Sequence, residues 1–167
     1  MNQKNMSKSQ KLTFSAIVIA LYVVVLYCTQ RFSFGAYQIR IATSLYALSY
    51  LFPFLVLPLG LANFIANLLF GGLGPLDMFG GCLVGIVTTA IIVGIRKSNW
   101  NPHLMILPII LVPGLGVSTW LSYLLHMPYP ALALSLCIGQ IIPAICGVLL
   151  VKALKRILEP KHGHIST

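Results

Sequence analysis

Chemistry in this chain has few places to reside. Asp77 and Glu159 are its two acids, set against eleven lysines and arginines for a net charge of +9. Within the apolar middle, polar groups concentrate in QIRIATSLY (residues 38–46) and NFIANLLFGGLGPLDMFGG (residues 63–81). Asn63 and Asn67 are four apart and project from one helix face. Uncompensated amides in hydrocarbon are expensive, so that face must look inward, either to hydrogen-bond a neighbouring helix or to line a polar ligand site. Arg40 opens directly into an apolar helix, where a guanidinium needs a partner or a ligand. Asp77 begins a helix after the turn Gly71-Gly72-Leu73-Gly74-Pro75. There it is an N-terminal cap favoured by the helix dipole, a ligand group, or both. Thr43, Tyr46 and Gln140 add neutral hydrogen-bonding groups, and Tyr37, Tyr46 and Trp120 offer ring faces for a planar solute.

That set can recognise a small polar molecule and can do little else. No G-x-x-x-x-G-K-[ST] loop is present, so ATP hydrolysis through a Walker fold is excluded. No carboxylate pair, serine–histidine set or metal cluster points to catalysis, and no cofactor is expected. Cys28, Cys82, Cys137 and Cys146 lie in apolar blocks without a C-x-x-C pair and read as small packing residues. His162-Gly163-His164 reads as part of a solvated tail.

The elements that must position these residues are membrane helices. Charged residues make up 8% of the chain, against roughly 25% in an ordinary soluble domain. Apolar blocks of near-bilayer length run over 12–29, 41–70, 78–95, 104–125 and 131–154. The first is followed by further spans and by Cys28-Thr29-Gln30-Arg31, so it does not read as a cleavable signal. Basic residues cluster at Lys4, Lys8 and Lys11, at Arg96 and Lys97, and at Lys152, Lys155, Arg156 and Lys161. This is the positive-inside pattern and not a nucleic-acid surface.

The block from Ile41 to Phe70 decides the topology. As one helix it would be roughly 45 Å long, and it carries Pro53, Pro58 and Gly60. If it crosses once, the basic clusters fall on opposite sides; if it doubles back near Pro53–Pro58, all lie on one side. Charge parity therefore predicts an all-α membrane protein, a compact bundle of six transmembrane helices with both termini cytoplasmic. Residues 1–11 and 157–167 form tails, and 12–156 the transmembrane substrate-binding domain. Exterior loops fall at 31–40, 71–77 and 126–130, with Arg31 snorkelling to lipid headgroups. Small-residue pairs Ala16/Ala20, Ala62/Ala66 and Gly81/Gly85 allow close helix contacts. A small bundle with an exterior-facing polar pocket and no energy-coupling site suggests a binding subunit powered by others. A self-sufficient carrier or channel, or a structural membrane protein, are the alternatives.

YQIRIATSLYALSYLFP followed by LANFIANLLFGGLGPLDMFGG resembles the QueT family, over roughly residues 12 to 156. The second segment is the specific part, matched by Ala66, Asn67, Gly71, Gly72, Gly74, Asp77 and Gly80. The resemblance implies a substrate-binding S component of an energy-coupling factor (ECF) transporter, taking up a queuosine precursor at the plasma membrane of a prokaryote. It implies as partners a transmembrane coupling protein and two ATPase subunits. It supports Arg40, Asn67 and Asp77 as site residues by position, and Ala16/Ala20 resembles the A-x-x-x-A contact such components present to the coupling protein. Two departures matter: Thr43 stands where the pattern leads one to expect a glutamate, and Gly139-Gln140 where Gly-Glu is expected. Loss of two carboxylates points to a neutral heterocycle and away from a cationic aminomethyl precursor.

Overall fold

The computed structural model describes residues 6–33, 38–71 and 73–158, and among them it is entirely helical. Six helices carry the fold: α1 (Lys8–Cys28), α2 (Ile41–Leu51), α3 (Pro53–Gly71), α4 (Pro75–Lys97), α5 (Pro102–Leu125) and α6 (Tyr129–Leu158). A single further turn, Gln30–Ser33, follows α1. Local chemistry explains the boundaries. Ser7 caps α1 through a reciprocal capping box with Gln10. Proline occupies the first turn of α3, α4, α5 and α6, where its missing N–H costs nothing. His126, with φ 52°, ends α5 in the left-handed conformation.

Five of the helices are long and apolar enough to cross a membrane; α2 is shorter. Seven of its residues, Ile41–Ala47, form a 3₁₀ helix and four, Leu48–Leu51, an α-helix. Rises of 2.0 and 1.5 Å give α2 about 20 Å, against a hydrocarbon core of about 30 Å. The outward faces carry exposed leucines and isoleucines (Leu12, Ile17, Leu61, Leu83, Leu107, Leu134, Leu149), as lipid-facing surfaces should. Hydroxyls inside the bundle are turned back onto their own helices: Thr88 onto the Val84 carbonyl, Thr89 onto Gly85 and Ser118 onto Gly114.

The block from Ile41 to Phe70 does double back. It breaks at Phe52-Pro53, and Arg40 at its start hydrogen-bonds Asn67 near its end. At the break, Arg96 donates to the Leu51 carbonyl at 2.9 Å, which supplies a partner for a helix end that Pro53 cannot continue. Lys11 lies over the Phe54 ring there, so the start of α1, the α2–α3 break and the end of α4 share one end of the bundle. Arg40, Asn67 and Asp77 lie together at the other. Ala62 and Ala66 are fully buried, and α3 and α4 approach through Gly60 and Gly85, where a Cβ on Gly85 would come within 3.1 Å of the Gly60 Cα. Ala16 and Ala20, by contrast, are exposed on the outside of α1. Of the cysteines, Cys137 packs tightly against Gly114, while Cys28 and Cys146 face outward, so packing inside the bundle is not the role of those two. Glu159 and the His162–His164 tail lie outside the described residues.

Candidate functional site

Arg40 is the hub of a buried polar network. It is 6% exposed, and its guanidinium donates to Asn63 Oδ1 at 3.2 Å and to Asn67 Oδ1 at 2.7 Å. The spacing of four explains the match: both amides sit on the same face of α3, one turn apart, at the span of the guanidinium fork. The amide NH2 groups are then used elsewhere. Asn63 Nδ2 donates to Tyr46 Oη (2.7 Å) and to the Gly81 carbonyl (2.9 Å), and Asn67 Nδ2 to the Asp77 carbonyl (2.8 Å). The chain can hold two amides against α4 only because position 81 lacks a side chain. A Cβ there would stand 2.5 Å from Asn67 Nδ2 and 3.0 Å from Asn63 Oδ1.

On the far side, Thr43 Oγ1 lies 2.7 Å from both the Arg40 carbonyl and Gln140 Oε1. One hydroxyl proton serves one acceptor at a time, so this contact has two arrangements. Gln140 sits at the break between the two halves of α6, Tyr129–Gly139 and Ile141–Leu158, and also reaches the Gln38 carbonyl at 3.4 Å. Gln38 has φ 42°, in the left-handed region, where the chain turns into Arg40.

These groups surround a cavity of about 10 Å³, room for about one water. Arg40, Thr43, Tyr46, Asn63 and Gln140 line it together with Gln38, and Val84, Pro113, Val117 and Leu136 supply the apolar wall. Asn67, Asp77 and Trp120 stand beside the cavity and do not line it. Asp77 is not the helix cap: Gly74, with φ 86°, precedes α4 and Asp77 falls in its first turn. Its position still places the carboxylate at the positive end of the helix dipole. One oxygen accepts from Trp120 Nε1 at 3.1 Å, and the other is buried without a hydrogen-bond partner among the described residues. Trp120 lies with its ring over Gly80, where a Cβ would come within 2.9 Å of it. The indole thus joins α5 to α4, with its ring set on Gly80 and its Nε1 on Asp77. Tyr37, the other expected ring, lies outside the described residues.

The chain matches the sequence profile described as the QueT transporter over residues 12–156. It belongs to the QueT transporter family. No curated protein and no solved structure matches it. Membership and five helices long and apolar enough to span a membrane make this a multi-pass membrane protein of a transporter family. The segments that carry the QueT resemblance in the sequence, Arg40 on one side and Asn67 to Asp77 on the other, are the two halves of the Arg40 network.

Two cavity neighbours escaped sequence reasoning. Tyr22 is fully buried in α1, its hydroxyl 3.3 Å from that of Tyr46. The buried stripe Ser15, Val18, Tyr22 and Leu26 follows helical spacing and could have singled it out. Gln38 carried no comparable signal. Among the described residues, no three histidines, cysteines or acids come together as metal ligands.

Proposed function

We propose that this chain is the substrate-binding S component of an ECF-type importer for a queuosine precursor of the 7-deazaguanine type. It captures the base from outside and passes it inward by docking on a transmembrane coupling protein driven by two separate ATPase subunits. In this reading the short α2 completes a sixth crossing alongside the five long helices and both termini are cytoplasmic, which puts Arg40 and Asp77 at the outer rim. The observation that carries it is the buried network joining Arg40, Asn63, Asn67 and Tyr46 beside a polar cavity, in a member of the QueT family. Such a cluster is far costlier than leucines if it only packs helices, and its groups match the edge of a planar heterocycle.

The ligand is neutral in this proposal. Among the described residues, Arg40 lines the cavity and Asp77 stands beside it, so the widened site holds one charge of each sign and no excess of negative charge for a cationic ligand. Thr43 and Gln140, where the QueT pattern suggests glutamates, contribute neutral hydrogen bonds. Asn67 and Asp77 become ligand contacts as the cavity widens, since a bound base needs a few hundred Å³. Competition binding on the purified chain tests this reading. The nitrile form, 7-cyano-7-deazaguanine, should displace a bound deazaguanine better than the cationic 7-aminomethyl form, and the reverse order would overturn it. Ala16 and Ala20 serve as the docking surface, consistent with Ala16 lining an open apolar groove of about 470 Å³ between α1, α3 and α4. Uptake by proteoliposomes containing this chain alone would instead favour an autonomous carrier.

A further inference from the structure

The Asn63 amide fixes where hydrogens point around the cavity. A guanidinium only donates, so the Asn63 atom that Arg40 approaches is the carbonyl oxygen. The other end is therefore the NH2, and its contact with the Gly81 carbonyl, which only accepts, demands the same orientation. Its second N–H points at Tyr46 Oη, so Tyr46 accepts from Asn63. The remaining question is where the proton of Tyr46 goes. Tyr22 is fully buried, its ring stacked on that of Tyr46 with centroids 5.8 Å apart. Among the described residues, Tyr46 Oη is the hydrogen-bond partner of the Tyr22 hydroxyl. A buried hydroxyl that fails to donate is costly, and of the two tyrosines Tyr46 lines the cavity, which offers its proton a place, while Tyr22 does not; so Tyr22 donates and Tyr46 accepts a second time. Both lone pairs of Tyr46 are then occupied. Its own proton is left to the cavity that it lines.

We infer that Tyr46 is a fixed hydrogen-bond donor into the site, held in that polarity by Asn63 and Tyr22, and that it selects bases presenting a carbonyl oxygen. This rests on the reading of the cavity as the pocket for a deazaguanine-type base. Such a base offers the 6-oxo group as its carbonyl; a 6-amino group in the same place opposes donor to donor. Tyr22 touches no ligand and acts as a positioning residue. Without its hydroxyl, Tyr46 regains a lone pair and can accept from a 6-amino group.

The test uses isothermal titration of the full chain in detergent with 7-deazaguanine and 2,6-diamino-7-deazapurine. Wild type should prefer the 6-oxo probe by about tenfold, the worth of one well-made hydrogen bond. Tyr22→Phe should hold the 6-oxo affinity while shrinking that preference severalfold through better binding of the 6-amino probe. Tyr46→Phe should abolish the preference. Because that variant strands the Tyr22 hydroxyl, the Tyr22→Phe/Tyr46→Phe double variant provides the same reading without that orphan; the Asn63 N–H that donated to Tyr46 loses its acceptor equally in both. A wild-type ratio persisting in Tyr22→Phe, or a preference surviving the double substitution, overturns the assignment while leaving base binding intact. Failure of wild type to bind either probe overturns base binding and this assignment together.

Discussion

Gly81→Ala isolates the fit between α4 and the Arg40 network. The added Cβ would stand 2.5 Å from Asn67 Nδ2 and 3.0 Å from Asn63 Oδ1, well inside contact distance. Neither amide can step aside freely. Asn67 is held at 2.7 Å by Arg40 and donates to the Asp77 carbonyl, and Asn63 is held by Arg40, Tyr46 and Gly81 itself. Moving Asn67 forfeits one charge-assisted hydrogen bond and one neutral bond, about 3 kcal/mol together. At 2–4 °C per kcal/mol for a chain of this size, the thermal midpoint should fall by roughly 6–12 °C. Gly94→Ala provides the control on the same helix, because nothing lies within 4 Å of a Cβ there. That variant should hold or slightly raise the midpoint, as alanine for glycine does in an unobstructed helix. Thermal unfolding of both variants in one detergent, followed by size-exclusion fluorescence, measures the difference. Equal midpoints for the two would refute the reasoning, since the network would then have slack that its distances deny.

Arg40→Lys keeps the charge but cannot reach both amides as a fork, and should weaken binding of 7-cyano-7-deazaguanine by at least about tenfold in titration. Ala16→Trp should block uptake in cells carrying the partner proteins while leaving the titrated affinity unchanged; normal uptake would remove the docking role. Arg96→Met strands the Leu51 carbonyl and should lower stability by about 2 kcal/mol without altering the affinity per folded molecule. In a Trp100→Phe background, Trp120 emission should shift as a base binds, because a ligand on Asp77 changes the surroundings of the indole bonded to it; constant emission at saturation would keep the ligand away from the Trp120–Asp77 pair.

How much of this was legible in the sequence depended on whether a residue's role was set by spacing or by conformation. The doubling back of residues 41–70 followed from length, two prolines and the side on which basic residues lie, and the Arg40–Asn67 bond agrees with it. The Asn63/Asn67 pair was legible because a period of four fixes a face and amides cannot face lipid. Trp120 was not. Its type suited stacking, and what spacing did not carry is its placement against α4, over Gly80 and hydrogen-bonded to Asp77. The cap on α4 was misplaced by three residues because Gly74 reaches a positive φ that Asp77 does not need. Gly81 looked like a helix-contact glycine, and its main neighbours turned out to be amides of the network.

The cavity holds about one water and the proposed base needs a few hundred Å³, so that proposal requires the bundle to open, and its contacts bear on where. The α3–α4 seam is closed by Gly60 against Gly85, with backbone nearly touching backbone, and α6 is set against α2 through Gly147, where a Cβ would lie 2.9 Å from the Ser44 carbonyl. Seams built on glycine contacts have no side chains to rearrange, so they move as units. The α4–α5 seam at the Arg40 end is different. Val84, Val117 and Trp120 pack across it, and its side-chain hydrogen bond among the described residues is the indole's to Asp77. The second Asp77 oxygen has no hydrogen-bond partner among those residues, and Pro113 interrupts the α5 ladder next to the cavity. On the other flank stand Gln38 in a left-handed conformation and a seven-residue 3₁₀ stretch, both less favourable than the α-helix they adjoin. Opening is therefore cheapest where α5 and the chain entering α2 part from the α3–α4 pair, and Arg40, bonded to α3 but rooted at the start of α2, is the residue that must give way for it.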